Sequence, residues 1–271
     1  MAGTDVLPRI GLGTFRLKGQ DVIDSVTSAL ELGYRHIDTA QMYENEEAVG
    51  QAIKQSGVPR EEIFLTTKVW WDRYRHDDLI ASLEESCRKL GVDQVDLALL
   101  HWPSPDDEVP MAEYIGALGE AREKGLAKRI GISNFTIAQV NEALSLPGGE
   151  HLVTNQIEVH PFLANRKLVE HCQAKGLQVT GYMPLAVGKV MDEPVLTQIA
   201  ADHDATAAQV ALAWVAQRDI VVIPSSTRPE HQKANLEALK ITLSEDEMAR
   251  IDKLDVGERI ANPDFAPDWD A

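Results

Sequence analysis

The chain has 271 residues, with 26 Lys or Arg against 43 Asp or Glu and a formal charge of −17. An acid excess of that size excludes nucleic acid and anionic membrane as main partners, and an anionic ligand would need a local basic patch. The hydrophobic fraction of 44% is enough for a large core, and no apolar run could cross a bilayer and no signal-like region opens the chain, so a cytoplasmic protein is expected.

Residues 6–14 alternate and read as a short strand, with room for a small hairpin ahead of it. Residues 20–32 put Val22, Val26, Ala29 and Leu30 on one helical face, and Gly33 ends that helix. The pattern then repeats: strand 36–39, helix 45–56 to Gly57, strand 63–69, and helix 78–90 to Gly91. Residues 95–100 read as an apolar strand buried on both faces. Helix 112–124, strand 128–132 and a helix capped by Thr136 follow, then strand 153–159, helix 166–175 and strand 178–182. Helices 195–202 and 207–218 come next, the second opened by the capping box Thr206-x-x-Gln209. Strand 220–224, helix 229–239 and a helix capped by Ser244-x-x-Glu247 complete the series. Cys87 and Cys172 fall on apolar helix faces without C-x-x-C spacing, which suits core thiols.

Strand and helix alternate about eight times without a linker, which implies a parallel sheet. Eight such units in roughly 250 residues match an α/β fold of the (β/α)8 TIM-barrel type. The expectation is a single domain over 1–271, with a tail from about 257 to 271 near the barrel mouth. A doubly wound sheet would want G-x-G-x-x-G, and Gly11-Leu-Gly13 is followed by Thr-Phe-Arg, so the third glycine is missing.

In such a barrel the active site lies at the carboxyl ends of the strands. Those ends carry Asp38, Lys68 and His101, with Tyr43 in the loop after the second strand. A phenol of pKa near ~10 is a weak acid at neutral pH, and a nearby ammonium lowers that value. Asp38 would keep Lys68 charged, Tyr43 would protonate a carbonyl oxygen, and His101 would orient that oxygen. Singly, each residue has an ordinary structural use: Asp38 as a helix cap, His101 bonded to a carbonyl, Lys68 paired with any acid. Their coincidence at adjacent strand ends favours chemistry. A carbonyl acid needs a reductant. Ser133, Asn134 and Gln156 offer amide and hydroxyl groups for a carboxamide, and Tyr182 a flat ring for stacking. The segment Pro224-Ser-Ser-Thr-Arg-Pro229 opens a helix where barrels often bind phosphate, and it also reads as a plain helix start.

These residues give the chain a resemblance to the aldo-keto reductase superfamily over nearly its whole length. It is carried by Gly11-Leu-Gly-Thr14, Asp38-Thr-Ala-Gln-Met-Tyr43, Thr67-Lys68-Val-Trp70, Leu100-His-Trp-Pro103, Gly131-Ile-Ser-Asn-Phe135, Asn155-Gln156, Tyr182-Met-Pro-Leu185 and Val222-Ile-Pro-Ser-Ser226. The sequence is most similar to the bacterial 2,5-diketo-D-gluconate reductase B group, through Gly13-Thr-Phe-Arg-Leu-Lys18, His101-Trp-Pro-Ser-Pro105 and Ala266-Pro-Asp-Trp-Asp270. The resemblance implies a (β/α)8 barrel and reduction of keto-sugar acids or small aldehydes such as methylglyoxal by NADPH, with NADH as a weaker donor. It implies Tyr43 as acid with Asp38, Lys68 and His101. It implies a cofactor site of Ser133, Asn134, Gln156, Tyr182, Pro184, Leu185, Ser225, Ser226, Thr227, Arg228 and Asn235. The family's basic residues for the 2′-phosphate are replaced here by Ser225 and His231, so Arg228, with hydroxyls from Ser226 and Thr227, is expected to take their place. Phe15, Trp70 and Trp102 are expected to wall the substrate pocket. The expected partner is a small carbonyl compound, with no metal and no second subunit.

Two other functions fit parts of the sequence. A metal-dependent barrel hydrolase would use His36, Asp38, His101 and His160, but no late strand ends in a His or Asp ligand. A non-catalytic nicotinamide-binding redox sensor would keep the cradle, but would not need the acid group intact.

Overall fold

The computed structural model describes residues 7–270, so Val6, any hairpin ahead of it, and Ala271 lie outside the described residues. Strands β1 (Leu12–Gly13), β2 (His36–Asp38), β3 (Phe64–Val69), β4 (Val95–Leu100), β5 (Ala127–Ser133), β6 (Leu152–Glu158), β7 (Gln178–Tyr182) and β8 (Ile220–Val222) pair in that order. Every pairing is parallel. The sheet closes on itself: Ile10 bridges Val222, Gly11 N donates to Val222 O at 2.9 Å, and Gly13 N donates to Pro224 O at 3.0 Å. Closure is tight enough that a Cβ on Gly13 would sit 2.9 Å from the Ile223 carbonyl oxygen. The expected first strand is therefore short, a two-residue ladder with β2 and a few bonds to β8.

The outer layer is α1 (Gly19–Leu32), α2 (Glu46–Ser56), α3 (His76–Leu90), α4 (Met111–Glu123), α5 (Ile137–Ser145), α6 (Arg166–Ala174), α7 (Pro194–Asp202), α8 (Ala207–Gln217), α9 (Pro229–Ala238) and α10 (Glu245–Asp252). Helix α9 packs against both α1 and α8, which completes the ring around the barrel, while α7 and α10 pack on each other. Helices α1 and α3 end on Gly33 and Gly91 at φ 107° and 67°, a left-handed turn that glycine makes without strain. Capping boxes form at Thr136, Thr206 and Ser244. Cys87 and Cys172 are free and buried.

One strand departs from expectation. Asp96 interrupts the apolar run of β4, and it is buried. Its carboxylate accepts from Lys128 Nζ at 2.8 Å and from Leu65 N at 3.0 Å, and pairs with Arg60 at 2.7 Å. A charge is tolerated inside this strand because both carboxylate oxygens are answered, two of the three donors being cations.

Candidate active site

The carboxyl ends of the strands converge on one rim. Asp38 ends β2, Lys68 lies one residue before the end of β3, His101 follows β4, and Ser133, Glu158 and Tyr182 end β5, β6 and β7. Tyr43 closes a 3-10 turn, Gln41–Tyr43, directly after β2. Neighbouring side chains fix that turn. Gln41 donates to Ser82 O at 3.1 Å and Ser86 Oγ at 3.0 Å, and accepts from Trp70 N at 3.2 Å. Asn45 donates to the carbonyls of Thr14 and Leu17 at 3.0 and 3.1 Å.

Lys68 Nζ donates to Asp38 Oδ1 at 2.5 Å, to Thr39 O at 3.0 Å and to the Tyr43 hydroxyl at 3.1 Å. The Lys68 and Asp38 side chains are 1% and 2% exposed, so each charge depends on the other. Burial opposes the Lys68 ammonium, but Asp38 and Tyr43 together raise its pKa above the ordinary lysine range. The His101 ring meets Tyr43 and Trp70 edge-on at 5.7 and 5.1 Å. Its Nδ1 is buried with no partner among the described residues, which leaves Nε2 to serve the cavity. Burial, helped by Lys68, holds His101 well below the usual imidazole range, so the ring is neutral.

The expected depression of the Tyr43 pKa is not the net result. Burial raises it, and the opposing pull of Lys68 does not overcome that together with Asp38. The phenol keeps its proton at rest.

A cavity of about 990 Å³ opens beside this group. Phe15, Trp70 and Trp102 line it, joined by Phe265 of the tail. Ser133, Asn134, Gln156, Tyr182, Pro184, Leu185, Ser225, Ser226 and Asn235 line it too. Thr227 and Arg228 are not among the lining residues, whereas His231 is. Arg228 instead pairs with Glu230 at 2.5 Å, both side chains more than half exposed.

The amide set is pre-ordered by bonds the sequence does not reveal. Gln156 Nε2 donates to Asp38 Oδ2 at 2.8 Å, tying the cradle to the ion pair. Asn134, at φ 64°, donates to His101 O at 3.1 Å and accepts from the Tyr182 hydroxyl at 2.8 Å. Ser133 Oγ donates to Gln156 O at 2.8 Å. The Gln156 side-chain oxygen, Oε1, has no partner among the described residues and is free to accept from a carboxamide, so the donors and acceptors present fit one. The metal-hydrolase alternative lacks its ligand set: among the described residues, no three His, Cys, Asp or Glu side chains could hold an ion together.

The tail, expected near the barrel mouth, enters the cavity through Ile260, Ala261, Asn262, Pro263 and Phe265, although its sequence has no period to say which residues do so. One functional element has no counterpart in the sequence expectations. Glu158 is fully buried at a strand end, and the signal that singled out Lys68, a charge closing an apolar strand, was present there as well.

A parallel eight-stranded barrel with its polar group and its deep cavity on the carboxyl-end rim defines a (β/α)8-barrel enzyme. Residues 9–256 match the Aldo/keto reductase family, and the chain belongs to it. It is 51% identical over 265 residues to Methylglyoxal reductase DkgB of Escherichia coli O157:H7, covering 97% of this chain and 99% of the relative. Glyoxal reductase of Bacillus subtilis (strain 168) is 39% identical over 260 residues, covering 95% and 93%. A crystal structure of a protein assigned as 2,5-diketo-D-gluconic acid reductase B superimposes with a TM-score of 0.93 at 47% identity, covering 98% of this chain and 94% of that one. The chain is thus an oxidoreductase of the carbonyl-reducing aldo-keto type.

Proposed function

We propose that this enzyme uses NADPH, with NADH as a weaker donor, to reduce small aldehydes and keto-sugar acids such as methylglyoxal or 2,5-diketo-D-gluconate to alcohols, with Tyr43 as general acid. The observation that carries this is the chain of contacts Asp38–Lys68–Tyr43, at 2.5 and 3.1 Å, opening into a cavity walled by aromatic rings. The names of the relatives support the substrate class.

The nicotinamide, when bound, supplies the hydride that adds to the carbonyl carbon. The protein's residues manage the oxygen. His101 holds it by a hydrogen bond from its neutral ring. Tyr43 transfers its proton to the oxygen as negative charge grows there, a service worth about 100- to 10,000-fold. Lys68 then faces a phenolate and stabilises it until water returns the proton. Ser133, Asn134 and Gln156 would hold the carboxamide and Tyr182 the ring face, while Ser225, Ser226 and Asn235 extend the cofactor site along the cavity. Arg228, once released from Glu230, would be the cation offered to the 2′-phosphate, with hydroxyls from Ser226 and Thr227.

The enzyme is expected to work as a monomer in the cytoplasm. Of the large hydrophobic side chains exposed among the described residues, Phe15, Met42, Val187 and Met191 line the cavity and Val256 lies outside it, so most exposed apolar area gathers there rather than on a subunit-sized face. The function is tested by following NADPH absorbance with a panel of small aldehydes and keto-sugars. Wild type should turn over, and Tyr43→Phe should lose turnover while retaining cofactor binding by fluorescence titration. Retained turnover in the variant would remove Tyr43 from its role.

A further inference from the structure

Residues 253–270 form neither helix nor strand, so among the described residues no backbone ladder holds the tail against the barrel. What holds it is concentrated at the end of β6. The Glu158 side chain is 0% exposed. One carboxylate oxygen accepts from Ile260 N and the other from Ala261 N, both at 2.7 Å. His160 Nε2 donates to the same carboxylate at 2.8 Å. Around it, Phe162 O accepts from Val256 N and Glu258 N, and Arg259 donates to Asn165 Oδ1 at 3.0 Å while Asn165 donates back to Glu158 O at 2.6 Å. The tail leaves this mooring straight into the cavity. There the Phe265 ring meets Trp70 and Trp102 edge-on at 5.6 and 5.5 Å, and Trp70 in turn meets His101.

We propose that Glu158 is a positioning residue, a carboxylate latch that seats the tail and thereby sets where Phe265 stands over the substrate cavity. A carboxylate suits this place because it only accepts, and the mooring presents two consecutive N–H groups and an imidazole N–H. An amide of the same shape would turn an NH2 toward one of those donors. The latch itself stands on geometry alone. Its consequence for substrate choice rests on the carbonyl-reductase function proposed above: a displaced Phe265 wall alters the fit of a large keto-sugar acid, which must touch it, more than that of a three-carbon aldehyde, which need not.

The test compares wild type, Glu158→Gln, and Ala261→Pro, which removes one donor from the tail side and leaves the strand intact. Amide hydrogen exchange over residues 256–265 and trypsin cleavage after Arg259 report the tail. Both variants should exchange and be cut about ten- to a hundredfold faster, the range expected for an unmet buried donor. Exchange in β3 and β4 should not change. In Glu158→Gln, which lies outside the cavity wall, kcat and KM for small aldehyde should stay within about threefold of wild type, while KM for a six-carbon keto acid rises about tenfold; Ala261→Pro, at the wall itself, is read by tail protection alone. Unchanged tail protection in both variants would overturn the latch. Equal KM shifts for both substrates would overturn its part in selectivity. A wild type that reduces neither substrate would refute the proposed function and still leave the exchange result to decide the latch.

Discussion

Removing the charge of Asp38 while keeping its shape is the sharpest probe of the site. In Asp38→Asn the Lys68 ammonium, 1% exposed, loses its counter-ion and keeps only neutral acceptors: the new amide oxygen, the Thr39 carbonyl at 3.0 Å and the Tyr43 hydroxyl at 3.1 Å. Breaking a buried pair by deleting one partner costs about 3–5 kcal/mol. Lysine has an escape, because it can bury itself neutral. Giving up the proton of a lysine of pKa ~10.4 costs about 4.6 kcal/mol at pH 7 and about 1.9 at pH 9. The loss should therefore be near its ceiling at pH 7 and shrink with pH. In wild type the raised Lys68 pKa keeps the proton bound in folded and unfolded chains alike over this range. In the variant only the unfolded chain holds it, so stability rises by up to about 1.4 kcal/mol per pH unit. Urea denaturation followed by tryptophan fluorescence at pH 7, 8 and 9 measures this. A destabilisation that is large but independent of pH would refute the view that Asp38 exists to keep Lys68 charged. Activity should fall at every pH, since a neutral amine cannot face a phenolate.

Three further outcomes follow from the same geometry. Because burial and Lys68 hold His101 well below the ordinary imidazole range, the kcat profile from pH 5.5 to 8 should show no break from that ring, and His101→Ala should lower kcat by about 100- to 1000-fold; a break near 6.5 that disappears in the variant would contradict this. Burial opposes the Glu158 charge, but His160 and the two tail amides hold its carboxyl below the ordinary 4.5, so the tail stays latched above that value and is released only as pH falls through the lower folded value, with His160, Tyr182 and Arg259 as the titratable neighbours; hydrogen exchange of residues 256–265 between pH 6 and pH 3.5 reads it, and loss of protection already near pH 5 would refute it. Arg228→Ala should weaken NADPH binding about three- to tenfold more than NADH binding, and Glu230→Gln, which frees the guanidinium, should shift the ratio the other way; equal changes for both cofactors, measured by fluorescence titration, would remove Arg228 from the phosphate site.

The barrel was legible because its elements repeat a local rule. Apolar faces recur at helical spacing, glycines such as Gly33 and Gly91 stop helices in a conformation other residues resist, and strands between them are short and apolar. Asp38, Tyr43, Lys68 and His101 were legible for the same reason: a strand end is a local feature, and all strand ends in this fold share one rim. What was not legible depends on partners distant in sequence. The bond from Gln156 to Asp38 spans 118 positions, and nothing in either segment specifies it. The tail is placed by Glu158, some 100 residues earlier. Arg228 was assigned from charge and position alone, and its pairing with Glu230 two residues on shows that a cation in an acid-rich chain meets nearby acids before it meets a ligand.

Burial raises the resting pKa of Tyr43 rather than letting Lys68 lower it, and this sharpens the role proposed for that ammonium. A general acid must carry its proton when the carbonyl arrives, and a phenol above its ordinary value does so throughout the neutral range. Had Lys68 dominated at rest, part of the enzyme would wait as phenolate, with no proton to give. Here the attraction between ammonium and phenolate is realised only as the proton leaves, along a contact already set at 3.1 Å. An interaction that strengthens with the developing charge lowers the barrier, whereas one already spent in the resting state would not. Dry surroundings thus serve both ends of the step: they hold the proton on Tyr43 beforehand, and they magnify the pull of Lys68 once it has gone.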